Sequence, residues 1–145
     1  MSDFSSITVE QLISDFEECF DWDDRFRYVI DLGKKLPPLD TSVKTEENRI
    51  LGCQSDAWMV AEVREEGGRR LYFAADSDTF IVKGLIAVVV VAYSGKTPSE
   101  ILAFDIDALF DQLDLKKHLS PVRGNGLVAM VKKIKALAAE YSDAE

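Results

Sequence analysis

The stretch that most constrains this chain is Gly84-Leu85-Ile86-Ala87-Val88-Val89-Val90-Val91-Ala92-Tyr93, ten residues without a charge. It is half of the roughly 20 apolar residues a transmembrane helix needs, so it reads as a buried element and not as a membrane span. Its Val-rich content suits a buried strand as well as a helix. Length and a cap in front of it, Ser77 or Asp78, favour a helix over roughly residues 79–93. The whole chain has 145 residues, 47% apolar and 30% charged. That is the composition of an ordinary soluble globular protein, which excludes a disordered or collagen-like chain. One domain over 1–145 is expected, with an ordered core of about 8–141.

The segments around that run carry their own periods. Thr8 reads as an N-cap with Gln11 in the capping-box position. Val9, Leu12, Ile13, Phe16 and Phe20 then form a helical stripe. Asp21 is placed to cap a second helix with Trp22, Phe26, Val29 and Ile30 facing inward, ended by Gly33, Pro37 and Pro38. Residues 40–48 are polar and read as a surface loop. From Ala57 the period becomes two, with Ala57, Met59, Ala61 and Val63 on one side of a strand. Gly67-Gly68 is a turn signal, and Leu71-Tyr72-Phe73-Ala74 reads as the returning strand. Thr97-Pro98-Ser99-Glu100 combines a cap, a first-turn Pro and a capping-box Glu. A last helix carries Leu127, Met130, Val131, Ile134, Leu137 and Tyr141. Ser120-Pro121 is a good opening for it, although Gly124 and Gly126 weaken the first turn. This order predicts an α+β fold, a small hairpin-based antiparallel sheet packed against about five helices.

Charge narrows the partners. Lys and Arg total 17 against 26 Asp and Glu, a net charge of −9. Such a surface repels phosphate backbones and anionic membrane, so neither nucleic acid nor membrane is expected as a ligand. A basic protein surface is the easier partner. The start, Met1-Ser2-Asp3-Phe4-Ser5-Ser6, lacks a basic region followed by an apolar run, so no secretory signal is read. With two cysteines and no disulfide framework, a reducing cytoplasm is the expected compartment.

Cys19 lies three residues after Phe16 on the apolar stripe and reads as a small buried hydrophobe. Cys53 differs. It sits in Ile50-Leu51-Gly52-Cys53-Gln54-Ser55-Asp56, where polar loop changes to strand. Gly52 permits a sharp bend or a close backbone approach. Gln54 and Ser55 offer hydrogen bonds, and a thiol on a loop can reach into a partner's active site. Spacing alone leaves Cys53 open between an inert and a reactive thiol. His118 is the only histidine, which excludes a multi-histidine metal site; a structural role stands beside a catalytic one. Arg123 reads first as a salt-bridge or cap residue. Asp76 and Asp78 read as caps and turn formers, Lys83 as a solvated lysine or a helix-start residue lining a site, and Trp58 as core. Glu46-Glu47 and Glu65-Glu66 read as solvated loop charges, with docking to a basic face as the alternative. No Gly-rich phosphate loop, Ser/His/Asp set or lysine context for pyridoxal phosphate is present.

Asn48-Arg49-Ile50-Leu51-Gly52-Cys53-Gln54-Ser55, with Trp58 following, resembles the signature of the SufE family of sulfur acceptors. Asp76-Ser77-Asp78 with Ile81-Val82-Lys83-Gly84-Leu85 resembles the family's next block. His118-Leu119-Ser120-Pro121 with Arg123, and Gly126-Leu127, resembles a third. The likeness runs from about Asp15 to Ala138. The hairpin turn over 65–70 is slightly longer than in familiar members, and Cys19 and the acidic tail lie outside the pattern. The resemblance implies a SufE/IscU-like domain whose Cys53 accepts sulfur from a pyridoxal-phosphate cysteine desulfurase of the SufS/CsdA type. It implies stimulation of that desulfurase and delivery to a downstream iron–sulfur scaffold. The pyridoxal phosphate belongs to the partner, so the expected cofactor content is none bound, only a transient persulfide on Cys53, and no metal. Gly52, Gln54, Ser55, Asp76, Asp78, Lys83, His118 and Arg123 are the matching positions for supporting or partner-contact roles. The attacking species is a thiolate and free Cys titrates near 8.5, so Arg123 and His118 are candidates to favour ionisation. A pocket that shields the sulfur at rest is expected. Two alternatives stand beside this reading: an iron–sulfur scaffold, and a non-catalytic desulfurase adaptor.

Overall fold

The computed structural model describes residues 6–52 and 55–142. Two capped helices open it. In α1 (Val9–Glu18) the Thr8 hydroxyl accepts from the Gln11 N–H at 3.1 Å, and in α2 (Trp22–Lys34) the Asp21 carboxylate accepts from the Asp24 N–H at 3.0 Å. The Gln11 side chain turns forward to Asp15 at 2.8 Å instead of closing the capping box. Leu12 and Phe16 are buried as the stripe predicts. Phe20 is not; it is 92% exposed, because α1 ends at Glu18 and the helical period no longer governs it. Cys19 occupies the C-cap, half-buried, with its thiol donating to Asp15 O at 3.3 Å.

Strands β1 (Ala57–Glu65) and β2 (Arg69–Ser77) pair antiparallel, in the register Ala57↔Ser77, Ala61↔Phe73 and Glu65↔Arg69. Gly67 and Gly68 make the turn at φ 68° and 118°, which L side chains avoid. A two-stranded ribbon is marginal alone. Here its inner face, with Met59, Leu71, Phe73 and Ala75 buried, rests on helix α3 (Phe80–Tyr93). The apolar run is thus a helix, and it packs on α1, α2, β2 and the last helix, α7 (Pro121–Ser142). The cap position of α3 falls on Thr79, whose side chain makes no capping bond; Ser77, one of the two expected caps, instead accepts from the Thr79 N–H at 3.3 Å.

Helices α2 and α3 touch backbone to backbone. A Cβ on Gly33 would lie 2.7 Å from Gly84 N, and one on Gly84 would collide with Val29 O. Gly33 lies in the last turn of α2, one residue before its end at Lys34, as its position before the prolines suggested. It is also glycine because no larger residue fits against Gly84.

The chain continues through α4 (Pro98–Ala103), with the full Thr97/Glu100 capping box, then α5 (Ile106–Leu113) and α6 (Leu115–His118), joined at Asp114 with φ 58°. Helix α7 starts at the Ser120-Pro121 opening despite Gly124 and Gly126. Ser120 Oγ accepts from the Arg123 N–H at 3.3 Å, which satisfies one donor of that first turn. The fold is α+β, with α5 and α6 added to the helices read from the sequence. Among the described residues no helix is long and apolar enough to cross a membrane.

Candidate functional site

The polar loop before β1 is an ordered connection. Asp40 caps a single 3-10 turn (Thr41–Val43), and the Asn48 amide donates to Val43 O at 2.9 Å. The loop then joins the sheet edge: Met59 N–H donates to Asn48 O and Ile50 N–H to Ala57 O, both at 2.9 Å. Ile50 is fully buried, while the next residue, Leu51, is 75% exposed. Gly52 follows at φ 94°, a left-handed conformation, and a Cβ there would come within 3.3 Å of Ala129 Cβ on α7. The positive φ at Gly52 is the sharp turn for which glycine is suited. Cys53 and Gln54 lie outside the described residues.

The chain beyond them is tied to the β2–α3 junction. The Ser55 and Thr79 hydroxyls pair at 2.9 Å, and Asp56 O accepts from Ser77 Oγ at 2.8 Å and from Asp78 N at 3.2 Å. The Arg49 guanidinium closes the loop on Asp56 at 2.9 Å. From α7, Lys133 Nζ reaches Glu47 O at 3.2 Å.

The Ser55–Thr79 tie borders a pocket of about 290 Å³ between the β2–α3 junction and the start of α7. Val82, Leu85, Gly126 and Met130, all buried, give it an apolar, sulfur-bearing wall. Ser55, Thr79, Ser120, Val122 and Arg123 form its more open side. Among the described residues no carboxylate lies within ion-pair distance of Arg123, whereas Arg49, Arg64, Arg69 and Arg70 each have one.

Beside the pocket Asp76 is held between two ammonium groups, Lys44 at 3.0 Å and Lys83 at 3.3 Å, with its side chain only 13% exposed. Partial burial pushes its carboxyl up, but Lys44, the Ser77 N–H and Lys83 outweigh that and hold it below the usual carboxylate range. Lys44 also lies 5.3 Å from the centre of the Trp58 ring. Trp58 is half-buried and belongs to this charged cluster, not to the core, because it falls on the outer face of β1 opposite Asp76.

Of the residues singled out in the sequence, Gly52, Ser55 and Arg123 converge around the pocket and its α7 wall. Asp76 and Lys83 pair beside it, and Asp78 accepts from the Thr79 hydroxyl at 3.1 Å. His118 stands apart, exposed and stacked on Trp22 with ring centres 3.9 Å apart. Sequence reasoning missed Thr79, Lys44, Ala129 and Lys133. Nothing local marks any of them, since each acts across the fold. The Cys19 thiol is pushed up by burial and then by Asp24, so it stays protonated at neutral pH.

Comparison with known proteins gives the family and the fold. The family model described as "SufE: Fe-S metabolism associated domain" matches residues 10–138. The chain belongs to the SufE family. An uncharacterized SufE-like protein of Rhizobium etli is 44% identical over 129 residues, covering 88% of this chain and 87% of that one. The solution structure of a hypothetical protein from Thermus thermophilus superimposes with a TM-score of 0.69 at 19% identity, covering 91% of this chain and 93% of that one. That structure supports the fold alone. As a SufE-family member, this protein is of the sulfur-acceptor type and serves iron–sulfur metabolism.

Proposed function

We propose that Cys53 accepts a sulfur atom from the persulfide of a pyridoxal-phosphate cysteine desulfurase, stimulates that enzyme, and delivers the sulfur toward iron–sulfur cluster assembly. The observation that carries the proposal is the placement of the residues on either side of Cys53. Gly52 is bent against α7, and Ser55 lines a pocket with a buried thioether, an apolar wall and an arginine that has no ion pair among the described residues. A thiolate needs a nearby cation to form near neutral pH, and a perthiolate needs cover from competing thiols. Arg123 supplies the first and the Met130 wall the second. The Cys53 thiolate attacks the outer sulfur of the donor persulfide; a new S–S bond forms on Cys53, the donor S–S bond breaks, and the donor thiolate leaves. No net oxidation occurs. Gly52 and Ser55 bracket the segment that carries Cys53 in the chain, and Asp76 with Lys44 and Lys83 braces the neighbouring junction.

The test is stimulated alanine release by a desulfurase turning over cysteine. Wild-type protein should raise the rate and Cys53→Ser should not. Equal stimulation by the two proteins would remove Cys53 from the chemistry and leave an adaptor.

A further inference from the structure

The outer edges of the two strands are closed to different extents. Along β2, Leu71 N–H donates to Lys96 O at 2.9 Å, Gly95 N–H to Leu71 O at 2.8 Å and Phe73 N–H to Ser94 Oγ at 3.0 Å, so the residues after α3 cover that edge. Along β1, the loop before it covers only the first residues, through Met59 N–H and Ala57 O. Those two bonds fix the parity of the strand: the main-chain groups of its odd-numbered residues point away from β2. Ala61, Val63 and Glu65 therefore turn their N–H and C=O groups outward, and among the described residues none of these groups has a hydrogen-bond partner. An open strand edge of this kind is a template for another strand. The core cover stops short of it as well. Ala61 and Val63 are half-buried, whereas Phe73 and Leu71, opposite them on β2, are buried.

We propose that this edge pairs with the same edge of a second copy of the chain, antiparallel about a two-fold axis at Val63, to give one continuous four-stranded sheet. Charge selects the occupant and the register. Glu62 and Arg64 stand on the outer face of β1, pair with each other at 3.3 Å, and keep side chains 66% and 48% exposed. With the axis at Val63, the odd-numbered residues of the two copies exchange main-chain hydrogen bonds. Glu62 of each copy then faces Arg64 of the other at non-hydrogen-bonded pairs, where side chains come closest. The two facing pairs and the two pairs within the strands close a ring of alternating charge. Moving the axis one residue either way sets Glu62 against Glu62 or Arg64 against Arg64, and like charges directly opposite are destabilising. The paired stretch is short and each copy carries a net charge of −9, so the dissociation constant should be on the order of 100 μM. At physiological ionic strength charges are screened beyond about 8 Å, which weakens the overall repulsion but spares the facing pairs. The inference stands apart from Cys53 and from its role.

The experiment is analytical ultracentrifugation of the full chain from about 10 μM to about 1 mM, with a reductant present so that no disulfide joins two copies. The wild type should pass from monomer to dimer over that range. Glu62→Arg and Arg64→Glu, each alone, set like charges opposite one another and should weaken the dimer about tenfold or more. Glu62→Arg also brings the net charge closer to zero, so a loss of dimer in that variant cannot come from overall repulsion. An equal mixture of the two variants should dimerise again, because each supplies the charge that the other lacks, and the double variant Glu62→Arg/Arg64→Glu should do the same. Recovery in the mixture also shows that both variants fold. A wild type that stays monomeric throughout the range overturns the inference. So does a dimer that either single variant leaves intact, and so does a failure of the mixture and the double variant to recover.

Discussion

The α2–α3 crossing and the loop that leads into and out of the Cys53 segment are held by opposite means. At the crossing, Gly33, Gly84 and Val29 bring backbone against backbone, and the surrounding side chains are fully buried. Steric contact of that kind is lost only by unfolding, since no side chain can rotate away. The loop is held by exchangeable polar ties: Lys44–Asp76, Arg49–Asp56, Thr79–Ser55 and Lys133–Glu47. Each trades one hydrogen-bond partner for another at small net cost, so a docking protein can substitute its own groups. The contrast separates a sterically fixed helix crossing from a loop held by individually weak ties, which flank Cys53 in the chain.

Substitutions can break that contrast. Gly84→Ala should have the largest effect, lowering unfolding free energy by about 3 kcal/mol or more in a urea titration, because the added methyl meets carbonyl oxygen and not a mobile side chain. A neutral result would show that the helices slide apart easily. Asp76→Ala comes next. Global stability should fall by about 1 kcal/mol, since the ion pairs are partly solvated, while alkylation of Cys53 should accelerate as the brace is lost. Unchanged alkylation would separate the brace from the site. Acid tests the same tie. Because the folded carboxyl lies below its ordinary value, the stabilisation is complete above about pH 4 and is lost as pH falls through the depressed folded value. Lys44→Met should flatten that acid dependence.

Tyr93→Phe should have the smallest effect. The Tyr93 hydroxyl is fully buried, without a hydrogen-bond partner among the described residues. Burial, then Asp107 and Asp105, push it up to about 12. Its removal should leave stability unchanged or raise it by up to about 1 kcal/mol. A clear loss would mean that the hydroxyl is bonded.

What the sequence made legible follows the range of each interaction. Thr8, Asp21 and Thr97 were readable as caps because a cap acts within three residues. The hairpin was readable from Gly67-Gly68 and an alternation of period two. Helix α5 was overlooked although its signal is local: Asp105 caps it, and Ile106, Leu109, Phe110 and Leu113 make a buried stripe. Gly33 was readable as marking the end of α2, but its close packing on Gly84 was not, because that partner lies on another helix. Trp58 and Phe20 were misplaced for a related reason, one falling on the outer strand face and the other beyond the end of α1. At the site, the order of the three blocks pointed to Gly52, Ser55 and Arg123. Their convergence depends on α7 packing beside the β2–α3 junction, which no local pattern encodes. His118 shares a block with Arg123 yet lies against Trp22, so nearness in sequence did not bring it to the pocket.

The most direct test of the central claim is to incubate the protein with a cysteine desulfurase and sulfur-labelled cysteine, then map the label by mass spectrometry. One reductant-labile sulfur on Cys53 is expected, with Cys19 unlabelled because burial and nearby carboxylates keep its thiol protonated. Label on Cys19 with Cys53 unmodified would contradict the account.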